Sequence, residues 1–424
     1  MQADTLDGRL PEAAGWQRWK LATVLMVTVF IAYYDRLNIS LALPLIAEQY
    51  GWGLEQKQFY GSLLMGLFFG AYGIANIFLT PWGARVGPRA SLLLIICLWS
   101  LFTALGALAS QWLAVFLASR VLLGLAEGIH FPMMSQLTKH WFPPHERSRA
   151  NGLWIAGLFL AILSAPLLLV PLMHHLGWRA GFVLLSLAGL VISLPLVWRY
   201  VHNWPADHPR IQGAERGYIE VGLMGEASAA AQPLGSVARQ PVFLLMVLVG
   251  ILNNVLSLGI SSWLPTYLAS REGVAYQDLA YLAALPYSFS LLGLAFWSWL
   301  GDRSGRRGRN AMFGFVCAGG MIFAAFETAS VYLAVGLFSL GVFFVASFNA
   351  CEFAMVQRIL PQPVIASGTG LYNGLTTMVG GGLGTAVMGQ VMAGQPGAAE
   401  LAFLLTLFLV TAVSVGVLGR LCRY

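Results

Sequence analysis

Charge is the scarce commodity of this chain. Only 10% of its 424 residues are Asp, Glu, Lys or Arg, against about 25% in ordinary soluble domains. That deficit excludes an ordinary water-exposed surface and points to a membrane protein. Cysteine is nearly absent too. Cys97, Cys317, Cys351 and Cys422 are scattered through or beside apolar runs, which excludes a secreted disulfide framework and leaves them as small packing residues. No Gly-Lys-Ser/Thr phosphate loop occurs, so ATP-driven chemistry is not expected. No His, Cys or carboxylate cluster has metal-ligand spacing, and no enzyme signature is found; no metal and no cofactor are expected. A cleavable signal is missing as well: the first apolar run follows Arg18 and Lys20 but continues into Asp35-Arg36 without a small-residue cleavage site, and reads as a retained helix.

What the chain has is hydrophobic length. It is 58% hydrophobic, with mean hydropathy +0.71. About 20 apolar residues span ~30 Å of hydrocarbon as a helix. Runs of that length predict twelve spans: Leu21–Pro44, Phe59–Trp82, Ala90–Ala109, Trp112–Gln136, Ala150–Met173, Ala180–Val201, Pro241–Leu268, Leu279–Leu300, Ala311–Thr328, Val331–Met355, Ala366–Met392 and Leu401–Leu421. The fold class expected is therefore an all-α membrane protein of two pseudo-symmetric six-helix halves, residues 1–201 and 241–424. They are joined by a cytoplasmic linker, 202–240, carrying a short helix near Ile211–Leu223.

Orientation follows from the basic residues. Of the 24 Lys and Arg, Arg36 and Arg120 lie within spans. With both termini inside, Lys57, Arg179 and Arg271 fall outside and all the rest inside. The net charge of +6 thus belongs to loops that orient the chain in a cytoplasmic (inner) membrane, and implies no nucleic acid. A monomer is expected. Both halves carry a basic loop after their second span, Gly83-Ala84-Arg85-Val86-Gly87-Pro88-Arg89 and Gly301-Asp302-Arg303-Ser304-Gly305-Arg306-Arg307, as related halves would.

Four charges sit deep inside spans, away from their ends: Asp35 and Arg36 in the first, Arg120 and Glu127 in the fourth. Each costs roughly 2.5–3.5 kcal/mol at mid-bilayer on insertion scales, so such groups pair, face a cavity and mark transport paths. Two acids can carry protons and two guanidinium groups can hold an anion. The set points to proton-coupled transport of an organic anion; a purely structural cluster pinning the first and fourth spans is the plainer alternative. Residues seven apart lie about 20° from eclipsed, so Arg120 and Glu127 share a face. Asp35 and Arg36, about 100° apart, cannot point the same way. The expectation is that Arg36 faces substrate while Asp35 and Glu127 share Arg120.

Weaker candidates have bland uses. His130, three residues after Glu127, either shares its face or serves packing. Tyr33, Tyr34 and Tyr72 serve either hydroxyl binding or aromatic packing. Asn253, Asn254 and Asn373 suit interhelical hydrogen bonds. Glu352, beside Arg358, is expected in a gate or ion pair. The pairs Gly66/Gly70, Gly124/Gly128 and Gly380/Gly384 are expected to let helices approach closely.

The loop Gly301–Arg307 resembles the signature between the second and third helices of each half in the major facilitator superfamily. The first-half copy has Ala84 where the signature has Asp. A cytoplasmic latch should therefore depend on Asp302, Arg303 and Arg306 and on the loop between the fourth and fifth spans. More narrowly, Asp35-Arg36-Leu37-Asn38-Ile39-Ser40, Arg120 through Glu127-Gly128 to Phe131-Pro132, Trp141-Phe142-Pro143-Pro144-His145-Glu146-Arg147, Gly177-Trp178-Arg179 and Gly370-Leu371-Tyr372-Asn373-Gly374 resemble the anion:cation symporter family, which includes sugar-acid transporters, sialin and vesicular glutamate transporters. The resemblance implies that Asp35 and Glu127 carry protons, that Arg36 holds a substrate carboxylate, and that Tyr72 and Asn373 line the substrate. The energy source would be the proton gradient. The extra seventh-helix arginine of the vesicular glutamate transporters is missing from Val249-Gly250-Ile251-Leu252-Asn253-Asn254-Val255, which disfavours a dicarboxylate. The expected function is inward symport of protons with an organic monoanion, an aldonate or hexuronate by preference. The rivals are a multidrug exporter of the same fold, whose Gly-Pro-rich fifth-helix signature Gly157–Pro166 does not match, and a non-transporting membrane receptor.

Overall fold

The computed structural model describes residues 15–211, 213–227, 233–269, 279–381, 383, 384, 387, 388, 391 and 397–422. Arg271 and Ala229–Ala231 lie outside them. The described residues form helices and no strand. Ten of these helices are long and apolar enough to cross a membrane. Together with the eighth and eleventh below, the spans are Gln17–Tyr50, Leu54–Phe78, Pro88–Leu108, Leu113–Trp141, Arg147–Leu176 and Trp178–Tyr200, then Pro241–Ala269, Leu279–Ser304, Arg307–Glu327, Val331–Ile359, Ile365–Gly381 and Ala398–Leu421. The helices overrun the apolar runs that betray them. The first has 34 residues, about 51 Å of helix, and ends where Gly51 turns left-handed at φ 64° and its N–H bonds the carbonyls of Ala47 and Glu48.

Three spans depart from regular helix. The fourth breaks after Glu127 and restarts at His130. The sixth contains a π-helical turn at Gly189–Ser193. The eleventh passes from α-helix, Ile365–Leu375, to a π-helical turn, Thr376–Gly381. The break in the fourth coincides with its closest approach to the second. A Cβ on Gly128 would meet Ala75 and Tyr72, and one on Gly124 the backbone of Phe68 and Tyr72. Gly380 and Gly384 likewise let the eleventh span press on the seventh at Ile251–Val255. Gly66 and Gly70 differ from the expectation: a Cβ on either would meet open space, because their face of the second span is turned away from its neighbours.

The first span packs on the fifth, the second and third on the fourth, the eighth and ninth on the tenth, and the twelfth on the ninth. The first six spans meet the last six where the fifth crosses the eighth and tenth, and where the second and fourth cross the eleventh. Large apolar side chains such as Leu108, Leu167, Phe313 and Val413 remain exposed on the outside, as a protein solvated by hydrocarbon requires. The linker helix is Gly213–Ala227, two residues later at its start and four longer at its end than the sequence suggests.

Candidate functional site

Arg36 leaves the first span and reaches the broken end of the fourth. Its Nε donates to Glu127 Oε2 at 2.6 Å, with the Glu127 side chain fully buried. The guanidinium carbon lies 4.5 Å from the Tyr33 ring centroid and 4.4 Å from that of Tyr72; Phe68 and Phe131 stand behind at 5.7 and 5.8 Å. Desolvated cation–π contacts of this kind are worth about 2 kcal/mol. They hold the guanidinium plane while leaving hydrogen-bonding capacity free: Arg36 Nη2 and Glu127 Oε1 have no partner among the described residues. Tyr72 links this group to the other six spans. Its hydroxyl accepts from Asn373 Nδ2 at 3.1 Å, and the same nitrogen donates to Asn76 Oδ1 at 2.9 Å.

Asp35 points elsewhere, as adjacent helical residues must. Its Oδ2 accepts from Thr103 Oγ1 of the third span at 2.5 Å, and its Oδ1 from Asn38 Nδ2 at 2.8 Å. Arg120, also buried, lies over Phe68 with its guanidinium carbon 5.2 Å from the ring centroid, and its Nε has no partner among the described residues. Arg120 stands within electrostatic reach of both Asp35 and Glu127, but the direct partner of Glu127 is Arg36 rather than Arg120. The reason is axial. Seven residues separate Arg120 and Glu127 by about 10.5 Å along the helix, whereas Arg36 arrives level with Glu127 from outside. His130 serves packing, its Nε2 3.1 Å from Thr28 Oγ1 and its ring edge-on to Trp99. Tyr34 donates to Ser164 of the fifth span, while Tyr33 joins the arginine cage. Asn253 and Asn254 make interhelical hydrogen bonds, to Asn349 Oδ1 and the Thr376 carbonyl. Glu352 does not pair with Arg358: six residues rotate the two about 240° apart, and its Oε1 accepts from Tyr372 at 2.6 Å instead.

On the face that carries the linker, the two sets of six spans are sealed together. Asp302 caps the fifth span from the eighth. Its carboxylate accepts from the backbone N–H groups of Ser148 and Arg149, each at 2.9 Å, from Arg149 Nε at 3.0 Å and from Arg307 Nη2 at 2.8 Å. A carboxylate at a helix N-terminus meets both unpaired N–H groups and the positive end of the dipole. Arg307 also donates to Ser148 Oγ and the Pro144 carbonyl. Arg303 and Arg306, expected as latch cations, are exposed; Arg303 lies over Trp299. Arg307 and Arg149 take that part. A second seal joins the fourth and fifth spans to the tenth and eleventh. Gln357 Nε2 donates to Ser135 and Asn151, and Asn151 Nδ2 returns a bond to Gln357 Oε1. Lys139 Nζ donates to the carbonyls of Gln357 and Leu360.

The linker helix lies over this seal. Glu215 is fully buried and accepts from the backbone N–H groups of Gln17 and Arg18 and from Arg18 Nη1. Arg18 also grips Glu146 through Nε and Nη2. Tyr218 donates to Glu146 Oε1, and its hydroxyl lies 2.7 Å from His145 Nε2. Burial and the Glu146 carboxylate push the Tyr218 phenol up to about 12, so it stays a donor; burial lowers His145. Sequence reading passes over Glu215, Gln357 and Lys139 and names Arg307 only as the end of its loop, because none of them is a charge stranded within a span.

Residues 25–385 match the profile of the Major Facilitator Superfamily. Among curated relatives, the probable galactarate/D-glucarate transporter of Bacillus subtilis (strain 168) is 28% identical, covering 84% of this chain and 82% of that protein. The D-galactonate transporter of Escherichia coli is 26% identical over 94% and 95%. The probable sulfoacetate transporter of Cupriavidus necator is 29% identical over 80% and 79%. Among solved structures, a proton:xylose symporter aligns with a TM-score of 0.73 at 12% identity, covering 93% of this chain and 94% of that one. The human organic anion transporter MFSD10 aligns at 0.69 and 15%, covering 94% and 99%. The chain belongs to the Major Facilitator Superfamily, and it is a multi-pass membrane transport protein of that twelve-helix fold rather than an enzyme.

Proposed function

We propose that the protein is a proton-coupled symporter that imports an organic monoanion, a sugar acid such as an aldonate or hexuronate or a related carboxylate, by alternating access. The observation that carries this reading is Arg36, caged by Tyr33 and Tyr72, bound to Glu127 through one nitrogen and free at Nη2. Relatives named for galactarate/D-glucarate, D-galactonate and sulfoacetate support the anion. The seventh span offers Asn253 and Asn254 and no cation, which favours a single carboxylate.

Coupling follows from competition for one guanidinium. Glu127 occupies Arg36 while ionised. Protonation of Glu127 removes the attraction, and the freed fork accepts a substrate carboxylate through two parallel hydrogen bonds. Proton and anion therefore enter together, each favouring the other. Asp35, held by Thr103 and Asn38, is the second proton carrier. Arg120 keeps the cavity positive while both acids are neutral, and Tyr72 and Asn373 meet the substrate across the interface between the two sets of spans. The excess of basic residues in its loops supports a cytoplasmic linker face, and on that reading the seal at Asp302 and Gln357 is the inner gate of a monomeric carrier in the inner membrane. The proton gradient drives it, with no cofactor.

The test is proton flux in proteoliposomes holding a pH-sensitive dye, challenged with sugar acids, other carboxylates and lipophilic cations. Inward acidification with a sugar acid, lost in Asp35→Asn, is the expected result. Outward proton movement provoked by cations would make the protein an exporter, and silence across the panel would overturn the symport reading.

A further inference from the structure

Glu352 is a half-buried acid that the mechanism above does not use. It lies in the tenth span, in the set of six spans opposite Arg36. Its polar contact among the described residues is the Tyr372 hydroxyl, at 2.6 Å. That hydroxyl is held in place: Tyr372 is fully buried, and a Cβ on Gly250 of the seventh span would collide with it. Among the described residues no cation reaches Glu352. Asp302 of the eighth span and Arg307 of the ninth bind each other on the Cys351 side. Arg147 of the fifth donates to the carbonyls of Phe142 and Lys139. In the fourth span Glu127 is taken by Arg36, His130 by Thr28, and Lys139 donates to the carbonyls of Gln357 and Leu360. Near Glu352 the seventh span presents Gly250 and Asn253, and the eleventh presents Tyr372. Arg358, on the same helix, is exposed. A carboxylate with one neutral donor and no cation is costly in such surroundings; the protonated acid is not.

Its position relative to the seal gives this cost a direction. Gln357 closes the interface five residues nearer the linker face, about 7.5 Å along the helix. Glu352 keeps partial exposure on the far side of that seal. Its neighbour Phe353 packs on Phe131 and Trp154 of the first six spans, with ring centroids 6.0 and 5.0 Å apart. Opening the linker side must part these rings and admit water from that side.

We propose that Glu352 is a third proton-carrying carboxyl, loaded while the linker side is closed and unloaded to linker-side water when it opens; this rests on the symport reading. The proton comes from water on the opposite side and adds to a carboxylate oxygen of Glu352. It leaves to water on the linker side, and no other bond is made or broken. Both sets of spans then carry protons, Asp35 and Glu127 in one and Glu352 in the other.

The experiment is the proton-to-substrate ratio of reconstituted protein, read from the membrane potential at which substrate flux vanishes under a fixed pH gradient. Glu352→Gln should lower the ratio by one proton while substrate counterflow exchange persists, and Tyr372→Phe should keep the full ratio. An unchanged ratio in Glu352→Gln overturns the proposal, and so does a ratio lowered equally by Tyr372→Phe, which would make the pair structural. A wild type that moves substrate without protons overturns the symport reading itself. A second readout survives poor reconstitution: infrared difference spectra of the purified protein across a pH step should contain a protonated-carboxyl band that shifts in Glu352→Asp. A band set identical in the two proteins overturns the proposal.

Discussion

Arg36 sits among four rings and one carboxylate, and each contact constrains what can replace it. Lysine keeps the charge but loses the planar fork and the stacking on Tyr33 and Tyr72. Glu127, fully buried, would then face a point charge that cannot also grip a substrate carboxylate. Arg36→Lys should weaken anion binding by about 2 kcal/mol or more, on the order of thirtyfold. Equilibrium binding of a labelled sugar acid to purified protein measures this; affinity within about threefold of wild type would remove Arg36 as the anchor. At this scale the sequence was informative about which residues and silent about which pairs. A charge within an apolar run announces itself, so Asp35, Arg36, Arg120 and Glu127 were legible. Their partners depend on where one helix stands along another, which no spacing within a helix records. Hence Arg36 rather than Arg120 holds Glu127, and Glu352 finds Tyr372 rather than Arg358.

Spans were legible as elements because hydrophobic length is a sufficient signal, whereas the break after Glu127 and the turns at Gly189 and Thr376 arise from contacts between helices. The linker helix was legible in its bounds to within a few residues but not in its role, which lies in Glu215 and Tyr218, closing over Arg18 and Glu146. Histidines line that contact. Burial lowers His145, His202 and His208, so each resists protonation in the docked linker. Undocked, each binds a proton near its ordinary value of about 6.5. The undocked form therefore gains protons as pH falls, so docking is strongest above that value and weakens below it. Trypsin cleavage at Arg210 and Arg216, both exposed, should quicken from about pH 7.5 to about pH 5.5, after correction for the enzyme's own pH profile. His145→Gln should flatten the dependence, since one of the three groups no longer titrates. A cleavage rate independent of pH in the wild type would exclude the histidines as a source of linker instability.

The molecule as a whole closes its linker side unevenly. Asp302 caps the fifth span through Ser148 and Arg149, whereas the matching position of the first loop is Ala84. The short helix Thr80–Val86 that carries Ala84 packs on the eleventh span, whose first turn has no side-chain cap. Lys139, donating to the carbonyls of Gln357 and Leu360, joins the two sets of spans there without engaging those N–H groups. If the two loops are equivalent, the missing contact can be built. Ala84→Asp would set a carboxylate at the eleventh span's N-terminus, an interaction worth about 0.3–2 kcal/mol, present only while the linker side is closed. The closed population should rise by up to about thirtyfold, and turnover should slow because opening must break one more contact. Asp302→Asn should act in the opposite sense, weakening the existing cap. Cys351 reports both changes: it is fully buried, against Gly301 and close to Ser148, at the surface that opening would part. Its alkylation by a maleimide, followed peptide by peptide, should slow in Ala84→Asp and quicken in Asp302→Asn. Equal rates in all three proteins would show that Asp302 caps the fifth span without holding the linker side shut, and that the missing acid at Ala84 has no bearing on the resting state.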